Sequence, residues 1–183
     1  MRLYRQTVED FRLYSGMEIE DLGAIREGNS RYSAKMRAVR IISASNVSKR
    51  DLETRLVRKG ESEEQAREAV AWLEDLNLVD DRATAKQIVE RCIYKGYGLQ
   101  RAKQALYEKQ IPKSLWEEAL ENYPEQTERI ADFLRSKLKD PDDPRQVKRA
   151  IDAALRRGHS YGQVKRALEQ IGTESEFEEE FYG

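Results

Sequence analysis

The chain repeats itself at a spacing of 50 and then 48 residues, and that periodicity limits its fold more than anything else in the sequence. Leu52-x-x-x-Leu56-x-x-Lys59-Gly60 matches Ala102-x-x-x-Leu106-x-x-Lys109-Gln110, and Glu68-Ala69-Val70 matches Glu118-Ala119-Leu120. A third copy follows, in which Leu155-x-Arg157-Gly158 matches Tyr107-x-Lys109-Gln110 and Arg166-Ala167-Leu168 matches Glu118-Ala119-Leu120. Each copy carries apolar residues at helical spacing. The first has Ala34, Ala38, Val39 and Ile42 on a helix from about Ser33, then Leu52 and Leu56, then Ala66, Ala69, Val70 and Leu73. The second has Ala85, Ile88, Val89 and Cys92, then Ala102, Ala105 and Leu106, then Leu115, Trp116, Ala119 and Leu120. The third has Ile130, Phe133 and Leu134, then Val147, Ala150, Ile151 and Ala154, then Val164, Ala167, Leu168 and Ile171.

The punctuation fits. Ser62-x-x-Gln65 and Ser160-x-x-Gln163 are capping boxes, Asp143-Pro144 sets a cap before a first-turn proline, and Ser48-x-x-Asp51 is a weaker start. Lys59-Gly60, Lys95-Gly96 and Arg157-Gly158 are stops, with a cation at the negative helix end and a glycine free to take positive φ. Pro112 and Pro124 each open a helix after a break. A unit of about 40–50 residues buries its stripes poorly alone, and stacking shares a core. The expected fold is therefore all-α, an elongated, curved array of three tandem three-helix repeats, about nine helices in all. The repeats span 31–79, 80–123 and 124–171. Residues 1–30 form an irregular N-terminal extension, with a short strand at Phe11 and Leu13, a turn at Ser15-Gly16 and a short helix carrying Ile19, Leu22 and Ile25. Residues 172–183, with five glutamates, form an acidic C-terminal tail. A mean hydropathy of −0.85 suits a chain with much surface per residue.

Charge sorts by helix. Residues 31–60 hold nine Lys/Arg against two Asp/Glu, and 61–82 reverse this, two against eight. Residues 86–113 hold seven against two, 114–132 one against six, and 143–171 seven against three. With a net charge of −1 the whole molecule does not steer towards nucleic acid, so any such contact must be a local patch. The candidate basic contact residues are Arg91, Lys95, Arg101 and Lys103 in the centre, and Lys148, Arg149, Arg156, Arg157, Lys165 and Arg166 in the third unit, with Tyr97 as an aromatic contact between two glycines. Two plainer readings stand beside this one: opposite blocks attract each other between helices, and Lys95 and Arg157 serve as helix-end cations while Tyr97 plugs the core.

Catalysis is poorly provided for. His159 is the only histidine, Cys92 the only cysteine, and Cys92 lies on the apolar stripe with Ile88 and Val89. Asp80-Asp81 reads as a helix cap before it reads as a metal site, and Trp72 and Trp116 read as core anchors before base platforms. No phosphate loop, dinucleotide fingerprint or zinc spacing occurs. No apolar run reaches the roughly 20 residues of a membrane span. The expectations are no enzyme activity, no cofactor, no metal, a cytoplasmic address and a monomer.

These motifs resemble the RecX family of regulatory proteins. Asn77-Leu78-Val79-Asp80-Asp81, followed by Arg82-Ala83 and Ala85, looks like that family's Gly-Leu-Leu-Asp-Asp signature. Lys95-Gly96-Tyr97-Gly98 with Arg101, and Arg157-Gly158-His159-Ser160-Tyr161, look like its two other strings. The likeness runs from about residue 31 to 171, with Gln110 where glycine is usual, Thr84 for phenylalanine, Ala102 for isoleucine and His159 for an aromatic. What the resemblance implies is binding to the RecA recombinase filament, with restraint of filament growth, ATP hydrolysis and strand exchange, and in some members contact with DNA. The alternatives are a general DNA-binding helical module and a scaffold for other proteins.

Overall fold

The computed structural model describes residues 2–140 and 142–172, so the acidic segment expected to be a tail lies outside the described residues from 173 onward. Among the described residues there are ten α-helices and no strand. They are α1 (Arg5–Asp10), α2 (Leu22–Ala44), α3 (Lys49–Arg58), α4 (Glu63–Asp75), α5 (Asp81–Tyr94), α6 (Leu99–Glu108), α7 (Trp116–Leu120), α8 (Thr127–Lys137), α9 (Pro144–Arg156) and α10 (Tyr161–Gln170), with a 3-10 turn at Lys113–Leu115. The chain divides into two compact units, residues 1–84 and 85–183.

In the first unit α2, α3 and α4 enclose a core of Ala34, Ala38, Val47, Leu52, Leu56, Ala66, Ala69, Val70, Leu73 and Val79. The helix expected from about Ser33 begins instead at Leu22, capped by the Asp21 carboxylate. The expected strand at Phe11 and Leu13 is absent, because α1 precedes it and ends there. Val8 O accepts from Leu13 N–H, and Arg12 takes φ 50°. Helix α1 is tied to α2 by the Asn29 side chain, whose Oδ1 accepts from Tyr4 N–H at 2.8 Å and from Thr7 Oγ1 at 3.2 Å. The Phe11 ring lies so close to Gly28 that a Cβ there would sit 2.6 Å from it. None of these pairings follows helical periodicity, which is why the sequence does not announce α1. The Asp80-Asp81 pair splits its work. Asp80 caps α5 through Arg82 and Ala83 N–H, while buried Asp81 accepts from Lys49 N–H at 2.8 Å at the start of α3.

The second unit has two clusters. Ala85, Val89, Leu106 and Ile111 gather Ile88, Ile93, Leu115, Trp116, Ala119, Leu120 and Tyr123. Ile130, Ala131, Leu134, Val147, Ala150, Ile151, Ala154, Val164, Ala167 and Leu168 join α8, α9 and α10. The helix expected from Leu115 shrinks to the 3-10 turn plus the five residues of α7, and α8 opens at Thr127, three residues beyond Pro124. Trp116 is half-buried and its Nε1–H donates to Ile111 O at 3.0 Å. Trp72 is also half-buried, with Lys35 Nζ 5.4 Å above its ring. Both pack at the rim of a core and not at its centre, since each has a polar or cationic neighbour to satisfy.

One ending recurs. Helices α3, α4, α5, α6 and α9 all close with paired bonds from the two following amides, the C′ residue in the left-handed region: Gly60, Asn77, Gly96, Gln110 and Gly158. The stop signals at Gly60, Gly96 and Gly158 are used as read. Both capping boxes form, and Asp143 caps α9 ahead of Pro144.

Replacing fully buried Leu134 by alanine should cost about 2–5 kcal/mol, whereas Trp116→Ala, at the rim, should cost less than the roughly 3–5 kcal/mol of a centred aromatic. Urea denaturation of the two variants checks the order. A larger loss for Trp116→Ala would place the indole at the centre of its cluster.

Candidate partner-binding surface

The surface is organised by a backbone contact. Helix α5 stops at Tyr94, the loop Lys95–Gly98 turns, and α6 starts at Leu99 with Gly98 as its cap residue, which has no side chain to accept from the free amides. Those amides find acceptors in the next repeat. Gly98 N–H donates to Arg157 O at 2.9 Å, and Gln100 N–H donates to Gly158 O at 3.2 Å. The orphan carbonyls at the end of α9 thus cap the orphan amides at the start of α6, and the opposed partial charges of the two helix ends favour the meeting. The approach needs glycine on both sides. A Cβ on Gly98 would fall 2.0 Å from Gly158 O, and a Cβ on Gly158 would fall 2.3 Å from Arg101 N, on a residue whose φ is 88°.

Side chains from the third repeat then satisfy the end of α5. Arg129 Nη1–H donates to Ile93 O at 2.5 Å, Arg157 Nη2–H to Lys95 O at 2.6 Å, and His159 Nε2–H to Gly96 O at 3.2 Å. Tyr97 O accepts from Tyr123 Oη–H at 2.6 Å and from Gln126 Nε2–H at 2.9 Å. Carbonyl acceptors fix His159 with its proton on Nε2. Burial holds its pKa below the ordinary histidine value, against the opposing pull of the Gly96 bond, and Arg157 adds to the depression. Burial also pushes the Tyr123 hydroxyl up to about 12, with Cys92 adding to it. The Arg157 guanidinium lies between two rings, 5.1 Å from Tyr97 and 4.7 Å from Phe133.

The structure brings Lys95, Tyr97, Arg101 and Arg157 together around the paired glycines. Two of them have structural duties: Arg157 is half-buried and bonded, and Tyr97 lies half-buried under it. Lys95 is exposed, its Nζ 5.9 Å from the Tyr97 ring, and Arg91 is exposed one turn earlier on α5. Arg101 pairs with Glu108 at 3.1 Å, and Lys103 is half-buried on the same helix. Lys148, Arg149 and Arg156 stand exposed on α9, away from this cluster of four, with no ion-pair partner among the described residues. Lys165 and Arg166 are exposed on α10, where Arg166 pairs with Glu125 at 2.5 Å.

Sequence reasoning missed several members. The exposed aromatic of the loop region is Tyr94, 85% exposed between Arg91 and Lys95, and not Tyr97. Helical spacing would have found it, since 91, 94 and 95 share a face. Arg145, one turn before Arg149, was equally available to that argument. Tyr123, Gln126 and Arg129 follow no periodic signal. They are recognised only once the open carbonyls of α5 are seen. Cys92 is a buried free thiol whose pKa burial raises, so it is a packing residue. Among the described residues no group of three or more His, Cys, Asp or Glu side chains could hold a metal. The arrangement is one for binding: cations on stiff helices, held in register by backbone bonds.

Comparison with known proteins agrees with this design. Residues 80–120 match the family model of the RecX second three-helix domain. A protein of Chlorobaculum tepidum named Regulatory protein RecX is 31% identical over 147 residues, covering 78% of this chain and 91% of that one. One of the same name from Clostridioides difficile is 30% identical over 178 residues, 92% and 83% of the two chains. A crystal structure of regulatory protein RecX superposes with a TM-score of 0.72 at 21% identity, covering 94% of this chain and 88% of that one.

Gly158→Ala should destabilise the second unit by about 3 kcal/mol or more, since left-handed strain of about 1–2 kcal/mol adds to a backbone collision. Chemical denaturation measures it, and a loss below about 1 kcal/mol would mean the turn can shift freely. His159 gives a pH test. Its folded pKa is depressed, so the unfolded chain takes up more protons, and the contribution present above the ordinary value near 6.5 is lost as pH falls through the folded pKa. Cooling of the thermal midpoint between pH 7.5 and 5.5 should therefore be smaller in His159→Gln, whose amide also donates to Gly96 O.

Proposed function

The chain belongs to the RecX family of regulatory proteins, and from that premise we propose that it binds the RecA recombinase filament and lowers its ATPase, its extension and its strand exchange in recombination and DNA repair. The observation that carries this reading is the fixed presentation of cations in the second unit. Arg91 and Lys95 on α5 and Arg101 on α6 are tied, through Gly98 and Gly158, to the repeat that carries Lys148, Arg149 and Arg156 on α9. A helical polymer offers its charges at fixed intervals, and a partner whose cations cannot drift loses little side-chain and backbone freedom on engaging them. Charge of this kind sets register and encounter rate, and suits a protein-coated nucleic acid that shows both phosphates and carboxylates. The mode of action is occupancy: a bound molecule blocks subunit addition or restrains the subunits it spans. The protein works on this reading as a monomer, without cofactor, in the compartment of the recombinase.

The second reading, a DNA-binding module with no recombinase dependence, draws on Tyr94. An exposed ring between two cations is what an unpaired base stacks on. Binding to single-stranded DNA alone, measured beside binding to the same DNA coated with recombinase and ATP, separates the two. Preference for the coated strand, with ATPase falling in proportion to bound protein, is expected. Equal affinity for bare and coated DNA would sink the filament reading. Lys148→Glu with Arg149→Glu should preserve folding and weaken binding to coated DNA at least tenfold at low salt, an effect that shrinks as salt rises. Unchanged affinity would remove α9 from the interface.

A further inference from the structure

Helix α9 shows the clearest separation of charge from core in the second unit. At about 100° per residue, Val147, Ala150, Ile151 and Ala154 point one way and are buried. Arg145, Lys148, Arg149 and Arg156 fall within an arc of about 100° on the opposite side, with Asp152 as the one acid among them. All four cations are exposed, and none has an ion-pair partner among the described residues. Elsewhere in the unit cations are more often committed: Lys86 to Glu118, Arg101 to Glu108, Arg135 to Asp132, Arg166 to Glu125. A helix face of like charges left open repels itself and gains from an anionic cover.

We propose that residues 173–183 of this chain are that cover, docking on the basic face of α9 and competing there with the anionic partner. The segment carries Glu174, Glu176, Glu178, Glu179 and Glu180 and no lysine or arginine. It is attached in the same unit, two residues beyond α10, which joins α9 through the short turn 157–160. The ten residues of α10 span about 15 Å, so the attachment point lies within about 20 Å of the end of α9. Eleven extended residues reach about 36 Å, enough to pass Arg156 and cover Arg149 and Lys148. Tethering puts the glutamates at an effective concentration in the millimolar range, which lets individually weak ion pairs fill the face. The contact is released when a denser array of anions displaces it, so the segment filters out weak polyanions. This competition rests on the assignment of α9 to the partner interface, but the docking itself does not.

Zero-length carbodiimide cross-linking of the full chain tests the docking without any partner. Amide bonds between Lys148 and Glu174–Glu180 are expected within the monomer at low salt, diminished at 0.5 M salt, and lost when Arg145, Arg149 and Arg156 are all changed to glutamate. Helical circular dichroism of that variant confirms that it folds. Cross-links spread evenly over the exposed lysines, or persisting in the variant, overturn the proposal. A second arm uses a single-stranded oligothymidylate as probe. The chain ending at Gly172, and equally a full chain with the five glutamates changed to glutamine, should bind it several-fold more tightly than the natural chain at low salt, with the gap closing as salt rises. Equal affinities across the three chains overturn the competition. Failure of all three chains to prefer recombinase-coated DNA, with the Lys148 cross-links present, counts against the proposed function and leaves the docking standing.

Discussion

Helix α6 begins without a cap of its own, and that deficit is met by the last carbonyls of α9. A helix start with unsatisfied amides is costly when shielded from water, and the usual remedy is a serine or aspartate side chain at the cap position. Here the position is glycine, and the acceptors are Arg157 O and Gly158 O, sixty residues along the chain. Bonding is reciprocal in effect, because the second half of the unit also returns side chains to the open end of α5 through Arg129, Arg157, His159, Tyr123 and Gln126. Two helical repeats are joined mainly by main-chain groups and their direct partners, and the apolar clusters on either side fill in around that joint.

This joint explains why the most recognisable strings of the sequence are short and rich in glycine. Lys95-Gly96-Tyr97-Gly98 holds one glycine for its positive φ and one for contact distance, while in Arg157-Gly158-His159 a single glycine serves both needs. It also divides the basic residues by duty. Arg157 is occupied by a carbonyl and two rings, whereas the cations of α9 have no internal task, so a map of positive charge drawn from sequence counts residues that the fold has already used.

The helical repeats were legible because caps, stops and apolar spacing all pointed the same way. Ser62, Ser160 and Asp143 cap the helices they were read to cap, and Ala34, Leu52, Leu56 and their counterparts are buried where the stripe places them. What was illegible depends on pairing across distance. Helix α1 is held by Asn29 and Phe11, the end of α7 is decided by the turn before it, and Gln126 reveals nothing until its carbonyl partner is known. Positive φ was legible only where glycine stood. Asn77 and Gln110 adopt the same conformation at equivalent helix ends, showing that the turn is imposed by its two backbone bonds and tolerates a side chain where nothing crowds it. At the basic surface, residue types were readable and their availability was not.

The capping of α6 from a distance has a consequence for how the second unit comes apart. In an ordinary helical solenoid each module contributes its own stability and a boundary energy, and an end module can fray alone. Loosening α9 in this protein strips acceptors from α6 and donors from α5 at once, so the two modules should open as one cooperative block with matched amide exchange at Gly98 and Gln100. In the first unit α3 starts on a side-chain cap from its own unit, Ser48 with Asp81 beside it, and needs no such loan. Mechanical pull on one end of the 85–172 region would therefore be resisted by both modules together until the glycine joint parts.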